Sequence, residues 1–420
     1  MAKITPELKQ VSEHVYICMA DADTRAVMGA KTSRVRDFET RWDSDRLAVE
    51  HTWGDAADDF KTFLRQNLAG YGHASIAEMA ELFVHVKNVG WPMAWLLEDY
   101  PLFRGQEVST RAINMAKSGR MCLGAPESLR PLHEQWLAVF NELNETIVAG
   151  GGYKFDQIRW ALPGTLPAGV TMTGDVRSVV RHLEQIEGMG DAYAEIAQLL
   201  LEGAAAYAPE TVGAARKGPR KPELDWAETR SKYMRPDQRD ADGAYVSCLY
   251  RCNRDIRACR PRTAVEHLDR RWAHVGLFQF EVFCSVAAAR DWHRHRAVMP
   301  WTLEVPTGSL RRASAKYYPM LHDSKYDELW DATESAYQEL ARSAQPWEAL
   351  YALPFGAMIK LTCTATLPAL LYMLELRASA SGANFEYKDQ AIQGLIQLRD
   401  AAGPQITNAA GLSLVLDSLK

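Results

Sequence analysis

The sequence predicts an α+β fold made of two tandem copies of one helix-and-sheet domain, a pseudo-dimer within a single chain. Three observations carry this. Shifting the stretch that begins Ala161-Leu162-Pro163 forward by 191 positions lands it on Ala352-Leu353-Pro354. With no gap, Thr171 then meets Thr362, Thr173 meets Thr364, Leu183 meets Leu374, Glu184 meets Glu375, Ala192 meets Ala383 and Glu195 meets Glu386. These nine identities in a window of 35 residues compare with about two expected from ordinary composition. The period is far longer than the roughly 20–50 residues of a solenoid unit. Second, helix-prone and strand-prone runs mix in both halves. Third, a Pro-, Gly- and charge-rich stretch from Ala208-Pro209-Glu210 to Pro219-Arg220-Lys221-Pro222 separates them, as a linker would. The expected organisation is a first copy over 1–207, a linker over 208–225 and a second copy over 226–420.

In chain order, Asp43 to Leu68 alternates charged and apolar residues at helical spacing, and Gly70-Tyr71-Gly72 makes a turn. Phe83 to Val86 is β-prone and Met93 to Leu97 helix-prone. Ser178 to Ala206 reads as helix, broken at Gly188-Met189-Gly190 and restarted with Asp191 as cap. In the second copy, helix is expected from Val282 to His293 and from Lys325 to Ser343, with a loop from Met299 to Ser309 between them. A long helical pattern from Pro368 onward is interrupted near Ser381-Gly382.

Composition excludes several classes. At 420 residues, 47% apolar and 24% charged with a net charge of −5, the chain has the make-up of a globular protein and no global pull toward nucleic acid or an anionic membrane. No apolar signal core stands at Met1 to Pro6, and the best apolar run, Leu367 to Met373, is short and holds Pro368. A cytoplasmic location is expected. Seven cysteines, an odd count, argue against a disulfide framework. Cys248, Cys252 and Cys259 cluster, but their spacing fits neither zinc nor iron–sulfur patterns, so no metal is expected.

Four groups of residues can carry chemistry. Gly72-His73-Ala74-Ser75-Ile76-Ala77-Glu78 offers a turn, an imidazole, a hydroxyl and a carboxylate, and reads equally as a helix capping box. Arg104, Gln106, Glu107, Ser109, Thr110 and Arg111 form a loop with the hydroxyls and guanidinium groups that suit a phosphate. His293-Arg294-His295-Arg296 stands after an alanine-rich segment, where it can bind a pyrophosphate or complement a helix dipole. Lys360, Arg377 and Lys388 have Gly169, Ile186 and Ala197 at the matching positions of the first copy. These three cations are therefore confined to one copy, as a retained anion site would be.

Together these pieces resemble the flavin-dependent thymidylate synthase family (ThyX-like), as a tandem-duplicated and diverged member. The G-H-x-S-x-x-E element is Gly72 to Glu78 and the E-x-S-x-R element is Glu107 to Arg111, both in the first copy. The R-H-R element is Arg294 to Arg296 in the second copy, where Glu98-Asp99-Tyr100 stands in the first. The L-R element is Leu376-Arg377, and the A-Q-x-E-I-R helix is Ala383 to Lys388. A fainter first element in the second copy is Thr263 to His267. In the second copy's loop Pro300 to Glu304, the serine and arginine are missing.

The resemblance implies methyl transfer to C5 of a pyrimidine nucleoside monophosphate, with dUMP to dTMP as the default. FAD is the implied cofactor, NADPH the reductant and methylenetetrahydrofolate the carbon donor. It implies a composite site in which Ser109, Arg111 and Arg294 are catalytic. His73, Ser75, Glu78, Arg294, His295, Arg296 and Arg377 would bind the cofactor. Gln106, Glu107, Ser109, Arg111, Asp291, Lys360 and Lys388 would bind substrate. A homodimer would then stand in for the family's tetramer, with no nucleic-acid or membrane partner. Asp291 replaces the family glutamine, Lys360 and Lys388 replace arginines, and Ala112 replaces a tyrosine. These departures leave open another base or sugar (dCMP, UMP or CMP), hydroxymethyl transfer, or a non-catalytic flavin- or nucleotide-binding protein.

Overall fold

The computed structural model describes residues 8–10, 15–18, 78–100, 102, 104–111, 114–146, 154–218, 243–251, 270–298, 300–305, 309–343, 346–379, 384–404, 406–407 and 416–417. The strands are β1 (Leu8–Gln10), β2 (Val15–Cys18), β3 (Glu81–Val89), β4 (Arg104–Glu107), β5 (Ala168–Asp175), β6 (Gly243–Arg251), β7 (Gly276–Ser285), β8 (Thr302–Glu304) and β9 (Met358–Thr366). The helices are α1 (Trp91–Glu98), α2 (Arg130–Thr146), α3 (Lys154–Ile158), α4 (Val176–Glu187), α5 (Asp191–Tyr207), α6 (Pro209–Ala215), α7 (Val286–His293), α8 (Asp327–Ala341), α9 (Leu367–Ser379) and α10 (Phe385–Ala402).

The duplication is visible in the topology. The first sheet runs β1-β2-β3-β5-β4 and the second β6-β7-β9-β8, with every neighbouring pair antiparallel. Without β1, the two orders are the same. Helices follow matching strands: α1 and α7 after β3 and β7, α2 and α8 after β4 and β8, and the pairs α4–α5 and α9–α10 after β5 and β9.

Each sheet buries one face. Leu82, Val84 and Val86 of β3 alternate inward, as do Phe278, Phe280, Val282 and Cys284 of β7, the period-two pattern of a half-covered strand. The expected helix over Val282 to His293 is corrected here. Residues 282–285 pair with β9, Val282 opposite Leu361 and Ser285 opposite Met358. The helix begins only where the Ser285 hydroxyl accepts from the Ala288 N–H. The expected loop from Met299 to Ser309 contains β8, because Thr302–Glu304 adds an edge strand to β9. The break between α4 and α5 falls where expected, but Asp191 is the first residue of α5. Gly190 (φ 135°) is its cap, a backbone angle that favours glycine.

The compact units do not follow the copies. One unit comprises Met1–Val108, Met121–Ala125 and Pro167–Glu223; the other comprises Ser109–Arg120, Pro126–Leu166 and Leu224–Lys420. The stretch expected as a linker begins as α6, whose Thr211, Val212 and Ala215 are buried. Residues 219–242 lie outside the described residues, as do Asp43 to Leu68, Gly70 to Ala77 (with His73 and Ser75), Cys252, Cys259, Thr263 to His267 and Ser381-Gly382.

Within the second unit, first-copy helix α2 packs on its counterpart α8. The Trp136 indole N–H donates to Thr333 Oγ1 (3.0 Å), and Trp136 meets Trp330 and Trp160 edge-on. The two equivalent Leu-Pro segments lie side by side. The Phe355 and Gly356 N–H groups donate to the Leu162 and Trp160 carbonyls (2.9 and 2.8 Å). A Cβ at Gly164 would stand 2.3 Å from the Leu353 carbonyl oxygen and 2.6 Å from that of Tyr351. Backbone cannot retreat as a side chain can. Gly164→Ala is therefore expected to cost about 2 kcal/mol or more in urea unfolding. Gly213→Ala, in α6 with open space at its Cβ, should be neutral or stabilise by up to about 1 kcal/mol.

Candidate functional site: a buried arginine–carboxylate cluster

The first-copy strand β4 ends at Glu107, and the Val108 N–H makes the next bond to Gly169 O (2.9 Å). The chain then enters the second unit at Ser109. The Ser109 hydroxyl accepts from the Arg111 N–H (3.3 Å), a short turn that orients Arg111. Its guanidinium grips Asp156 of α3 through both arms, Nε to Oδ1 (2.7 Å) and Nη2 to Oδ2 (2.6 Å). Asp156 also faces Arg159 Nε (3.6 Å) and accepts from Asn384 Nδ2 (3.3 Å). Arg159, only 1% exposed, donates through Nη2 to Asp291 Oδ2 (2.8 Å). The cluster thus joins first-copy Arg111, Asp156 and Arg159 to second-copy Asp291 and Asn384, all within one compact unit.

Burial opposes the charges of Arg159, Asp291 and Arg111, and the opposite charges win. Burial pulls the Arg159 pKa down, but Asp291, Tyr318 and Asp156 outweigh it, and the net shift is upward. Asp291 is held below the ordinary aspartate range because Arg159, Arg294 and Arg111 outweigh its desolvation. Arg111 is likewise raised, chiefly by Asp156 against burial. Arg294 adds its charge at the end of α7, and its Nε is buried without a hydrogen-bond partner. Four guanidinium groups (Arg111, Arg159, Arg294 and Arg377) outnumber the two aspartates. Buried Glu386 is already engaged, accepting from the Ser285 N–H and hydroxyl and from Tyr318 OH.

Arg377 completes the second-copy side. Its Nε donates to His295 Nε2 (2.5 Å), and its guanidinium lies 5.2 Å from the Tyr387 ring centroid. Burial and the neighbouring Arg377 push the His295 pKa down to about 3, so the imidazole is a neutral acceptor that orients Arg377. Burial and Asp291 push the Tyr387 hydroxyl up to about 12, against Arg377, Arg111 and Arg159. Tyr387 therefore sits in the fields of cations from both copies.

The other expected site residues divide. Gln106 and Glu107 are on β4, opposite Thr171 and Val170, in the first unit. Arg296, half-buried, opens a single turn at Arg296–Val298. Lys388, half-buried on α10, has no ionic partner among the described residues. Lys360 Nζ, on β9, lies 3.4 Å from Glu304 and 3.7 Å from Glu281. These carboxylates face it from the neighbouring strands of the second sheet and neutralise it. Asp291 accepts from Arg159 through its Oδ2. Glu78 is ion-paired with Arg177. His73 and Ser75 lie outside the described residues.

Sequence reasoning missed Asp156 and Arg159. The signal was present: at the 191-residue shift they meet Trp347 and Leu350. They are charges confined to one copy, just ahead of the shared Ala-Leu-Pro. First-copy α1 and second-copy α7 begin 195 residues apart, which sets Asp99 and Tyr100 opposite Arg294 and His295. Ile186 stands where the second copy has Arg377. In the first unit, buried His182 bonds to the Leu96 carbonyl (2.5 Å).

Fold and site define a duplicated α+β protein with an arginine-rich, carboxylate-buffered centre suited to an anionic ligand. The chain belongs to the thymidylate synthase complementing protein family (Thy1), whose profile matches residues 15–210 and 262–402. Membership makes it a methyltransferase-type enzyme of pyrimidine nucleotides, in a family that uses flavin. No curated protein matches the sequence. Among solved structures, a UMP/dUMP methylase, PolB, from Streptomyces cacaoi bound with 5-Br dUMP is similar over 50% of this chain and 99% of that one. Its sequence identity is 13% and its TM-score 0.35. No helix among the described residues is long and apolar enough to cross a membrane.

Two outcomes test the cluster. Asp156→Asn leaves Arg111 and Arg159 facing each other with one counter-charge removed. It should cost about 2–4 kcal/mol in chemical denaturation, with Asp156→Glu recovering part of the loss. For His295, the unfolded chain takes its proton near the ordinary 6.5 and the folded chain only near 3. The stabilisation is complete above about pH 6.5 and drains away as pH falls toward 3. His295→Gln should flatten that part of the stability–pH curve.

Proposed function

We propose that the chain methylates C5 of a pyrimidine nucleoside monophosphate, dUMP to dTMP by default, at one composite site drawn from both copies. The observation that carries this reading is the meeting of Arg111 and Arg159 with Asp291, Arg294 and Arg377 in one buried cluster. Ser109 and Arg111 hold the nucleotide phosphate. The buried Nε of Arg294, with no partner of its own, fits a cofactor that carries phosphate, with Arg296 two residues further on. When bound, FAD reduced by NADPH would supply the hydride that completes the methyl group from the one-carbon unit of methylenetetrahydrofolate, itself returning to the oxidised flavin. The protein's share is placement and electrostatics. His295 keeps Arg377 pointed, Asp156 keeps Arg111 pointed, and Lys388 approaches the nucleotide from α10.

Two copies in one chain imply a homodimer equivalent to a four-domain assembly. The matching positions Asp99, Tyr100 and Ile186 lack the cations of the working half. Asp291 offers little to a cytosine amine while Arg159 holds its Oδ2, which favours uracil nucleotides.

The test is a flavin-oxidation assay. Purified protein is incubated with FAD, NADPH and methylenetetrahydrofolate, and with dUMP, UMP, dCMP or CMP in turn. Turnover with a uracil nucleotide is expected, and Arg111→Ala should lower kcat/KM by about 100-fold or more. Failure to acquire a flavin absorbance band defeats the reading. Flavin or nucleotide binding without turnover by any of the four moves the protein to the non-catalytic class, and turnover with hydroxymethyl product changes the outcome of the transfer.

A further inference from the structure

Tyr387 lies in the first turn of α10, on its buried face, three residues after the Asn384 that caps the helix and donates to Asp156. The residue is only 1% exposed. Packing accounts for its ring. Trp292 meets it edge-on at 5.4 Å and 86°, and the Arg377 guanidinium lies 5.2 Å from its centroid. Packing does not account for its oxygen. The hydroxyl of a buried tyrosine usually finds a hydrogen-bond partner, yet this one makes no hydrogen bond among the described residues. Nor is the oxygen sealed from solvent, as that of Tyr326 is, so a ligand can reach it.

The fold does not call for a phenol at this place. At the 191-residue shift Tyr387 meets Ile196, which is also 1% exposed. An aliphatic side chain fills the position in the sister copy, which has Asp99 and Ile186 where the second copy has Arg294 and Arg377. The hydroxyl occurs only beside the cations. With its pKa pushed up to about 12 by burial and Asp291, the group is protonated and a donor at neutral pH. Three guanidinium groups (Arg377, Arg111 and Arg159) and one carboxylate act on it, and that excess of positive charge favours an anion. Arg111 already directs Nε and Nη2 to Asp156, while a phosphate dianion beside it has acceptor oxygens for further donors. We propose that the Tyr387 hydroxyl is a further substrate contact, donating to a phosphate oxygen of the nucleotide beside Arg111. This contact rests on the reading of the cluster as a nucleotide site.

Tyr387→Phe removes the oxygen and keeps the ring against Trp292 and Arg377, so the unfolding midpoint and FAD binding should be unchanged. Wild-type and variant full-length proteins are titrated calorimetrically with dUMP, inorganic phosphate and FAD. The variant should bind dUMP about tenfold more weakly, the effect of losing one hydrogen bond to a charged group, and inorganic phosphate should weaken in the same proportion. In turnover, KM for dUMP should rise with kcat held within about twofold. Tyr387→Ile, the side chain of the sister copy, should give the same loss. Equal dUMP affinity in wild type and Tyr387→Phe overturns the proposal. So does a loss for dUMP with none for phosphate, since the hydroxyl then meets the sugar or the base. Should the wild type bind phosphate but no pyrimidine nucleotide, the nucleotide reading fails while the phosphate titration still decides the contact. Binding of neither overturns both.

Discussion

A guanidinium group buried to 1% exposure must be answered by carboxylate, and Arg159 is answered by Asp291 at 2.8 Å and Asp156 at 3.6 Å. Removing a full charge from water costs several kcal/mol unless an opposite charge and good hydrogen bonds replace the solvent. That requirement ties three distant parts of the chain together. Asp156 must stand on α3 to meet Arg159, and it then takes both arms of Arg111. Asp291 must stand in the last turns of α7, where Arg294 follows. Asn384 must cap α10 with its carbonyl while its amide reaches Asp156. The helices are held where their polar ends coincide, and the apolar packing of Trp136, Trp160 and Trp330 forms around that alignment.

The two copies have diverged by losing different things. The first keeps the serine–arginine turn and the Asp156–Arg159 pair; the second keeps the cations after α7 and at the end of α9. Where the second copy has Arg377, the first has buried Ile186. Lys360 shows that a cation confined to one copy is not always a ligand-binding cation. It stands between Glu281 and Glu304, and burial raises the Glu304 carboxyl against the pull of that same lysine. This polar network spans three strands of the second sheet.

Much of this was legible in the residue order. The gapless shift that pairs Thr171 with Thr362 also pairs strand with strand, because β5 lands on β9. Arg111, Arg294 and Arg377 are marked by composition of the segment or by difference between the copies, and Asp291 by the family resemblance. Two things were not legible. Helix propensity in Val282 to Ser285 gives way to sheet pairing, since ladder bonds with β9 and burial of Val282 and Cys284 outweigh a weak local preference. Partner choice among charges is also hidden: sequence distance does not tell that Lys360 faces glutamates while Arg111 faces an aspartate 45 residues away. Pairing depends on which strand is adjacent, and that is a property of the finished sheet.

The excursion of residues 109–120 and 126–166 into the second compact unit separates the unit of descent from the unit of folding. A gene cut at the junction between the repeats would strand Trp136 and Trp160 without Trp330, Thr333 and Tyr326, and would leave Arg159 without Asp291, the carboxylate that answers it from the downstream half. Fusion is then more than a tether between two independent modules. Once such an exchange of segments is in place, neither repeat can be lost, shuffled or replaced by recombination without the other, and the ancestral separability of the pair is gone.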